Sequence, residues 1–312
     1  VLSLYPAGFV IYLYAQFIDK YKKRMIMIDS FLYFNETDLL RLRLEYLNPY
    51  VDKFVIVETD TTFSLLHHPA QFDAVYKTLP QDIKDKIVYH YLEIDKKEIE
   101  YSGDPDDPEF KPKSRFVEVA MRESLTDVVK SISNNDWLMM SDLDEFWDPR
   151  FLDQAKAMVD KHGKTFWAQD IRTCFIDWKM RLGRWPGTKT TRVDIMPTPT
   201  TELYCSKNKT WGHYGESMVE AGWHLTMMGT QEMKSQQISA KREGPGWEKK
   251  IQKSADQISE AIFNNNWDSV SKKKKMRAVK INPAEDLDPE LYSIAKKYSD
   301  LWSGNINPNG RK

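Results

Sequence analysis

Trp137-Leu138-Met139-Met140-Ser141-Asp142-Leu143-Asp144-Glu145 sets an uninterrupted apolar run against a knot of acids. Such a short run, bounded by turn residues, reads as a buried strand. The acids mark its end. Asp148-Pro149 downstream reads as a helix cap followed by a proline in the first turn. Strand, acidic loop and helix together make one unit of an α/β sheet. If the strand runs through the acids, Asp142 and Asp144 stand at i and i+2 and face the same side. Two carboxylates that close repel unless a cation lies between them. Hard oxygen ligands suit Mg²⁺ or Mn²⁺. The carboxyl end of a parallel strand is where open α/β sheets bind nucleotides. The expectation is an Asp-x-Asp metal site holding a nucleotide diphosphate. The competing reading of the same acids is helix capping.

Outward from this stretch, strands and helices alternate. Met25 to Phe34 predicts a strand. A helix follows it, with Leu39, Leu40, Leu42, Leu44 and Leu47 on its apolar face and Asn48-Pro49 at its end. Phe54 to Glu58 and Ile87 to Leu92 predict further strands, with helical turns at Phe72 to Leu79. Phe116 to Ile132 carries a helical stripe, and Phe151 to Val159 a shorter one. This order implies a mostly parallel sheet with helices on both faces. After Lys164 the pattern changes. Thr165 to Ala168 and Thr190 to Met196 are strand-like, but Gly183, Trp185-Pro186-Gly187, Pro197 and Pro199 interrupt them. A mixed half with binding loops is expected there, then a helix from Lys249 to Phe263. The domain is placed at residues 25–268. Residues 269–312, opening on Lys272-Lys273-Lys274-Lys275, read as a basic, polar, solvated tail.

Residues 1–24 stand apart. Val1 to Ile18 is largely apolar and a basic flank ends at Arg24, which reads either as a short signal-anchor or as a leader outside the domain. The 45 basic residues balance 46 acidic ones, which leaves no overall charge for nucleic acid. The two cysteines, Cys174 and Cys205, are too few for a disulfide framework. Asn35-Glu36-Thr37 is a glycosylation sequon, and modification there would block the expected donor site. Both points favour a cytoplasmic location. Membrane association through the first residues, or a Golgi type II topology, are the alternatives. Oligomeric state is not legible.

Four collinear motifs resemble glycosyltransferase family 17. They are Phe31-Leu32-Tyr33-Phe34-Asn35-Glu36-Thr37-Asp38-Leu39-Leu40-Arg41-Leu42-Arg43-Leu44, then Val51 to Thr59, then Ser141-Asp142-Leu143-Asp144-Glu145, and Ala221-Gly222-Trp223-His224-Leu225-Thr226 with Lys234 after it. The resemblance implies a GT-A fold, a UDP-sugar donor, Mn²⁺ or Mg²⁺, a glycan acceptor and inverting transfer. N-acetylglucosamine is the implied sugar. A different UDP-hexose, or a retired sugar-nucleotide-binding module, are the alternatives. The loops from Arg181 to Trp211 are shorter than in the family's animal members, and the resemblance fixes neither the sugar nor the acceptor.

Roles follow. Asp144, with Asp142 and the distant His224, is expected to hold the metal, and imidazole tilts the choice toward manganese. Asn35, Glu36 and Glu58 sit at strand ends where a nucleoside is read. Arg115 and Arg122 lie on the helix before the acidic strand, where Arg122 reaches a diphosphate or pairs with Glu118 at i+4. Lys234 is expected to clamp a phosphate. Candidates for the base that activates the acceptor hydroxyl are Asp194 first, then Glu216 and Asp170, with Asp177 and Glu220 behind them. Trp178, Trp185 and Trp211 are candidates for stacking on sugar rings, against core packing.

Overall fold

The computed structural model describes residues 24–63, 65–98, 101–102, 111–112, 116–196, 218–230, 233 and 278–303. The strands in chain order are β1 (Met27–Leu32), β2 (Lys53–Thr59), β3 (Ile87–Leu92), β4 (Tyr101–Ser102), β5 (Lys111–Pro112), β6 (Trp137–Asp142), β7 (Glu145–Phe146), β8 (Lys164–Thr173), β9 (Trp178–Arg192), β10 (Met218–Val219), β11 (Trp223–Thr226) and β12 (Ala278–Lys280). The helices are α1 (Thr37–Leu47), α2 (Phe72–Tyr76), α3 (Gln81–Lys84), α4 (Phe116–Ile132), α5 (Leu152–His162), α6 (Pro283–Asp286) and α7 (Pro289–Ala295).

The main sheet runs β3-β2-β1-β6-β9-β8-β11-β7, with β10 on β8 and β12 on β9. The pairings β3-β2, β2-β1 and β1-β6 are parallel. From β6 onward β9 pairs antiparallel on both sides, and β11 pairs parallel with β8 but antiparallel with β7. The fold is therefore α/β with a mixed sheet. The parallel part of the expectation is β3-β2-β1-β6, and the expected mixed half follows from β9 onward.

Strand alternation builds a core on each face. Met27, Phe31, Phe54, Ile56 and Met139 point to one side, where α1, α5 and α7 supply Leu40, Ala155 and Leu291. Ile28, Val55, Val57, Leu138 and Met140 point to the other, against Val117, Met121, Leu125 and Val129 of α4. The i+4 spacing of those α4 residues is the stripe expected from sequence. Asp148 accepts from the Arg150 amide at 3.1 Å and opens the turn into α5, as the Asp-Pro pair predicts.

Two sequence expectations are corrected. Trp185-Pro186-Gly187 does not break the strand, because β9 runs through it with Trp185 opposite Gln169 and Pro186 opposite Ala168. The ladder absorbs the proline at a register shift between Phe166 and Ala168. Gly187 leaves room for Gln169: a Cβ there would lie 1.9 Å from Gln169 Oε1, and that side chain would have to shift. Second, residues 278–303 are no solvated tail. β12 pairs with β9, and Leu287, Leu291, Ala295, Tyr298 and Leu301 join the core beneath α1. Asn282 and Asp288 cap α6 and α7, each with proline at the first position. Among the described residues no helix is long and apolar enough to cross a membrane. The apolar run before Arg24, Cys205 and the expected helix at Lys249 to Phe263 lie outside them.

In the order β2-β1-β6, the chain leaves β1 toward β2 on one side and comes back through α4 to β6 on the other. Connections diverge above the carboxyl ends of β1 and β6, which opens a crevice there.

Candidate functional site

β6 ends at Asp142, the last strand residue, in register with Leu32 of β1. Leu143-Asp144 is a turn, and Glu145 begins β7. Asp142 and Asp144 are thus not strand neighbours at i and i+2. A turn, not pleat alternation, brings both to one cleft. The next strand in this neighbourhood comes from far along the chain. β11 pairs with β7, setting His224 opposite Glu145, and the Leu225 amide donates to Asp144 O at 2.7 Å. His224 Nε2 consequently stands 3.3 Å from Asp144 Oδ2. Gly222 permits this approach. Its φ is +97°, and a Cβ would sit 2.4 Å from Phe146 O.

The turn is held from beneath by a residue to which the sequence reading assigns no role. Arg43 of α1 is fully buried, between the rings of Phe31 and Phe146. Nη1 donates to the carbonyls of Asp142 (3.2 Å), Leu143 (3.1 Å) and Glu145 (2.7 Å). Nη2 donates to Ser141 Oγ at 2.6 Å. Nε and Nη2 form a two-pronged pair with buried Asp29 of β1, at 2.8 and 2.7 Å. Trp147 Nε1 donates to the same carboxylate at 3.2 Å. One planar guanidinium therefore joins β1, α1 and the acidic turn, a geometry that lysine does not reproduce. The signal lies in plain view: Arg43 on the apolar face of a leucine helix, and Asp29 inside an apolar strand.

Glu145 is buried as well. It accepts from the Asp142 amide at 3.1 Å and from Trp185 Nε1 at 2.6 Å. Burial raises its carboxyl pKa above the ordinary range; Lys189 and His224 oppose this, while Asp142 and Asp144 add to it. The Trp185 ring stacks on His224 with centroids 4.8 Å apart.

In front of the turn lies a cleft of about 110 Å³, lined by Leu32, Tyr33, Phe34, Glu36, Thr59, Thr61, Thr62, Phe63, Glu118, Met121, Arg122, Asp142, Leu143 and Asp144. It occupies the crevice that the strand order opens. Arg122, reaching in from α4, is ion-paired with Asp142 and donates to Ser141 O at 3.3 Å. Glu36 stands at the N-cap position of α1 without a side-chain capping bond, and accepts from the Asn35 amide at 3.1 Å. Asn35 itself is buried and does not line the cleft.

Several expected residues lie elsewhere. Glu58 is fully buried and accepts from the Gln71 and Phe72 amides (2.7 and 3.2 Å) and from Tyr89 Oη (2.7 Å). It anchors the start of α2, and Thr59 is the β2 residue that reaches the cleft. Asp194 sits in the turn Val193–Ile195, ion-paired with Arg192 at 3.2 Å. The Val193 amide donates to Asp136 O, so Asp194 lies at the amino end of β6. The acidic turn is at the other end, roughly 20 Å along six strand residues. Asp170 pairs with Lys179 at 2.6 Å and lies in register with Trp223, one residue out of phase with His224. Register partners share a face, so Asp170 and His224 face opposite sides. Asp177 holds Ser303 and the Ile281 amide, which ties down the C-terminal segment. Glu220 pairs with Arg184 at 2.8 Å and is well exposed. Trp178 is buried. Arg115, Glu216, Lys234 and Trp211 lie outside the described residues. Among the described residues no three His, Cys, Asp or Glu side chains converge as a metal-binding group.

No curated protein matches the chain. Among solved structures, the crystal structure of S. aureus TarS overlaps 80% of this chain and 44% of that one, at 14% identity and a TM-score of 0.35. The chain thus spans less than half the length of that protein. The crystal structure of S. aureus TarS 1-349 overlaps 89% and 81%, at 12% identity and a TM-score of 0.33. Overlaps this loose carry no argument about the site. The sequence model described as Glycosyltransferase family 17 matches residues 15–166. That span runs from before β1 through the acidic turn into β8, and over it the chain is similar to glycosyltransferase family 17.

Proposed function

We propose that the chain moves a sugar, N-acetylglucosamine first among candidates, from a UDP-sugar to a glycan hydroxyl with inversion, on a GT-A scaffold. The observation that carries this reading is the cleft at the divergence of β1 and β6, with Asp142 and Asp144 on one wall. Tyr33, Phe34 and Phe63 offer aromatic walls, and Thr59, Thr61 and Thr62 hydroxyls, to a nucleoside. Glu36 lines the same cleft and is the acidic group for the ribose. Arg122 stands at the diphosphate end, where a guanidinium matches phosphate oxygens in paired hydrogen bonds. Arg115 and Lys234 are further candidates for phosphate contact.

The residues fit a divalent cation held by two protein groups. Asp144 Oδ2 and His224 Nε2 are 3.3 Å apart. Ligands on bonds of about 2.1 Å in an octahedron lie about 3 Å apart at adjacent corners. Asp142, ion-paired with Arg122, contributes through water or by exchanging partners. Asp144 and His224 would hold such a cation, and its remaining positions would go to oxygen ligands, as hard cations prefer. A cation bound there supplies charge to stabilise the departing diphosphate. Arg43 keeps the turn in shape from below, and Glu145 braces Asp142 through its amide. Glu216 is the proposed base for the acceptor hydroxyl. A cytoplasmic site of action remains the preferred location.

The test is calorimetric titration of UDP into the full chain with Mn²⁺ and with EDTA, for the native protein and Asp144→Ala, with UDP release measured across UDP-sugars. Binding should require the cation and weaken at least about tenfold in the variant, or about 1.4 kcal/mol. Release from one donor above the others names the sugar. UDP binding without release from any donor, with glycan acceptors present, assigns a binding module. Absence of cation-dependent UDP binding overturns the proposal.

A further inference from the structure

The cleft ends at Asp144, but the site does not. Trp185 and His224 stand beyond Asp144 and are not part of the cleft wall. Trp185 is 41% exposed, whereas Trp147, Trp167 and Trp223 are buried. A lone exposed aromatic needs no special account. Trp185 differs in being fixed on two sides. Its Nε1–H is held by the buried Glu145 carboxylate at 2.6 Å, and one ring face rests on the His224 imidazole. The indole is therefore locked beside the acidic turn with hydrophobic surface left in water. Strand register agrees: Gln169 is opposite Trp185, and Ile171 and Glu145 are both opposite His224, so all these residues share one face of the sheet.

We infer that Trp185 is the stacking platform for a pyranose ring of the acceptor, on the far side of Asp144 from the nucleotide cleft. This rests on the transferase reading above and extends it to the second substrate. The chemistry suits a sugar ring. An aromatic face is electron-rich, and a pyranose presents a patch of C–H groups on at least one face. Stacking gains dispersion over many small contacts. The ring is already immobilised by Glu145 and His224, so binding orders only the sugar, which is the advantage of a preorganised site. The platform selects for a ring with a C–H face and against an acyclic polyol, which has no such face to present.

The experiment is ¹⁹F NMR on the full chain labelled with 5-fluorotryptophan. The resonance missing in Trp185→Phe identifies Trp185. The probes are methyl β-glucopyranoside and methyl β-galactopyranoside, with sorbitol as the acyclic control. The Trp185 line should shift saturably with a pyranoside at millimolar concentration and stay still with sorbitol. A second reading, saturation transfer to the sugar protons, should survive in Trp185→Phe, which keeps an aromatic face, and fall at least about tenfold in Trp185→Leu. A Trp185 line that ignores every pyranoside, or responds equally to sorbitol, overturns the platform. UDP titration with Mn²⁺ on the same labelled sample separates the two readings. Intact UDP binding with a silent Trp185 line sinks the platform alone. A responsive Trp185 line without UDP binding upholds the sugar site and sinks the nucleotide reading.

Discussion

Arg43 shows how far one side chain can organise a site without touching a ligand. Its guanidinium has acceptors on every side: the Asp29 carboxylate, Ser141 Oγ and three carbonyls of the turn. Arg43→Met would leave Asp29 as a buried, uncompensated charge. The expected loss is about 3–5 kcal/mol, read from urea denaturation. Adding Asp29→Asn should restore part of it, because the stranded charge is then gone. A double variant whose loss equals the sum of the two single losses would show that the groups act independently. Arg43→Lys keeps the charge but not the fork, and should weaken cation-dependent UDP binding through a loosened turn. Sequence reading nominates Asp142, Asp144 and His224, and the fold gathers them around one turn. The same reading passes over Arg43 because helical periodicity ranks positions by apolarity, and a buried arginine is an exception justified only by its partners.

Elements explain both the successes and the misses among the strands. α4 falls at its expected boundaries because burial of one face leaves a strong period, and β3, half-buried along its whole length, falls at its own as an apolar run between charged residues. The acids after the apolar run mark the end of β6 in the sequence, but whether Asp142 and Asp144 meet through the pleat or through a turn is not written there. What decides for the turn is long-range: β7 leaves to pair with β11. The mixed half is likewise tied together by charges from distant segments. Asp286 at the end of α6 is ion-paired with Arg172 of β8 and with Lys179 of β9. Burial raises its carboxyl pKa, but the charges and hydrogen bonds of Arg172 and Lys179 outweigh this and hold it below the ordinary value. A folded pKa below the unfolded one, about 3.9, stabilises at and above that pH. The contribution disappears as pH falls through the lower, folded value. Asp286→Asn should therefore be less stable than the native protein at neutral pH. The difference should shrink below about pH 4, in urea denaturation over a pH series. A gap that persists unchanged in acid would show that the carboxylate charge is not what ties these elements together.

At the level of the whole molecule, residues 278–303 close the core instead of trailing from it. Leu287, Leu291 and Leu301 are buried in the same cluster as Leu40 and Phe54. Lys297 and Tyr298 both reach Glu45 of α1, at 2.5 Å. Removing everything after Arg277 would take those three leucines out of the core, at about 1.5–3 kcal/mol each. Domains of ordinary stability, about 5–15 kcal/mol, do not withstand much of that. The truncated chain should lose its near-ultraviolet circular dichroism and its cooperative thermal transition. A truncated chain that melts like the full one would return the segment to a dispensable tail. The α/β class, the alternating elements as far as α5, the acids that end β6 and the likeness to the family are all legible in the amino-acid string, because burial period and local motifs are written in neighbouring residues. Long-range pairing was needed to fix which strands of the expected mixed half pair, to bring His224 to Asp144 on β11, to set Arg43 beneath the turn, and to place Asp194, Asp170 and Glu58 away from the cleft lining. Those facts depend on which strands pair and in what register, and a one-residue change in register moves a side chain to the opposite face.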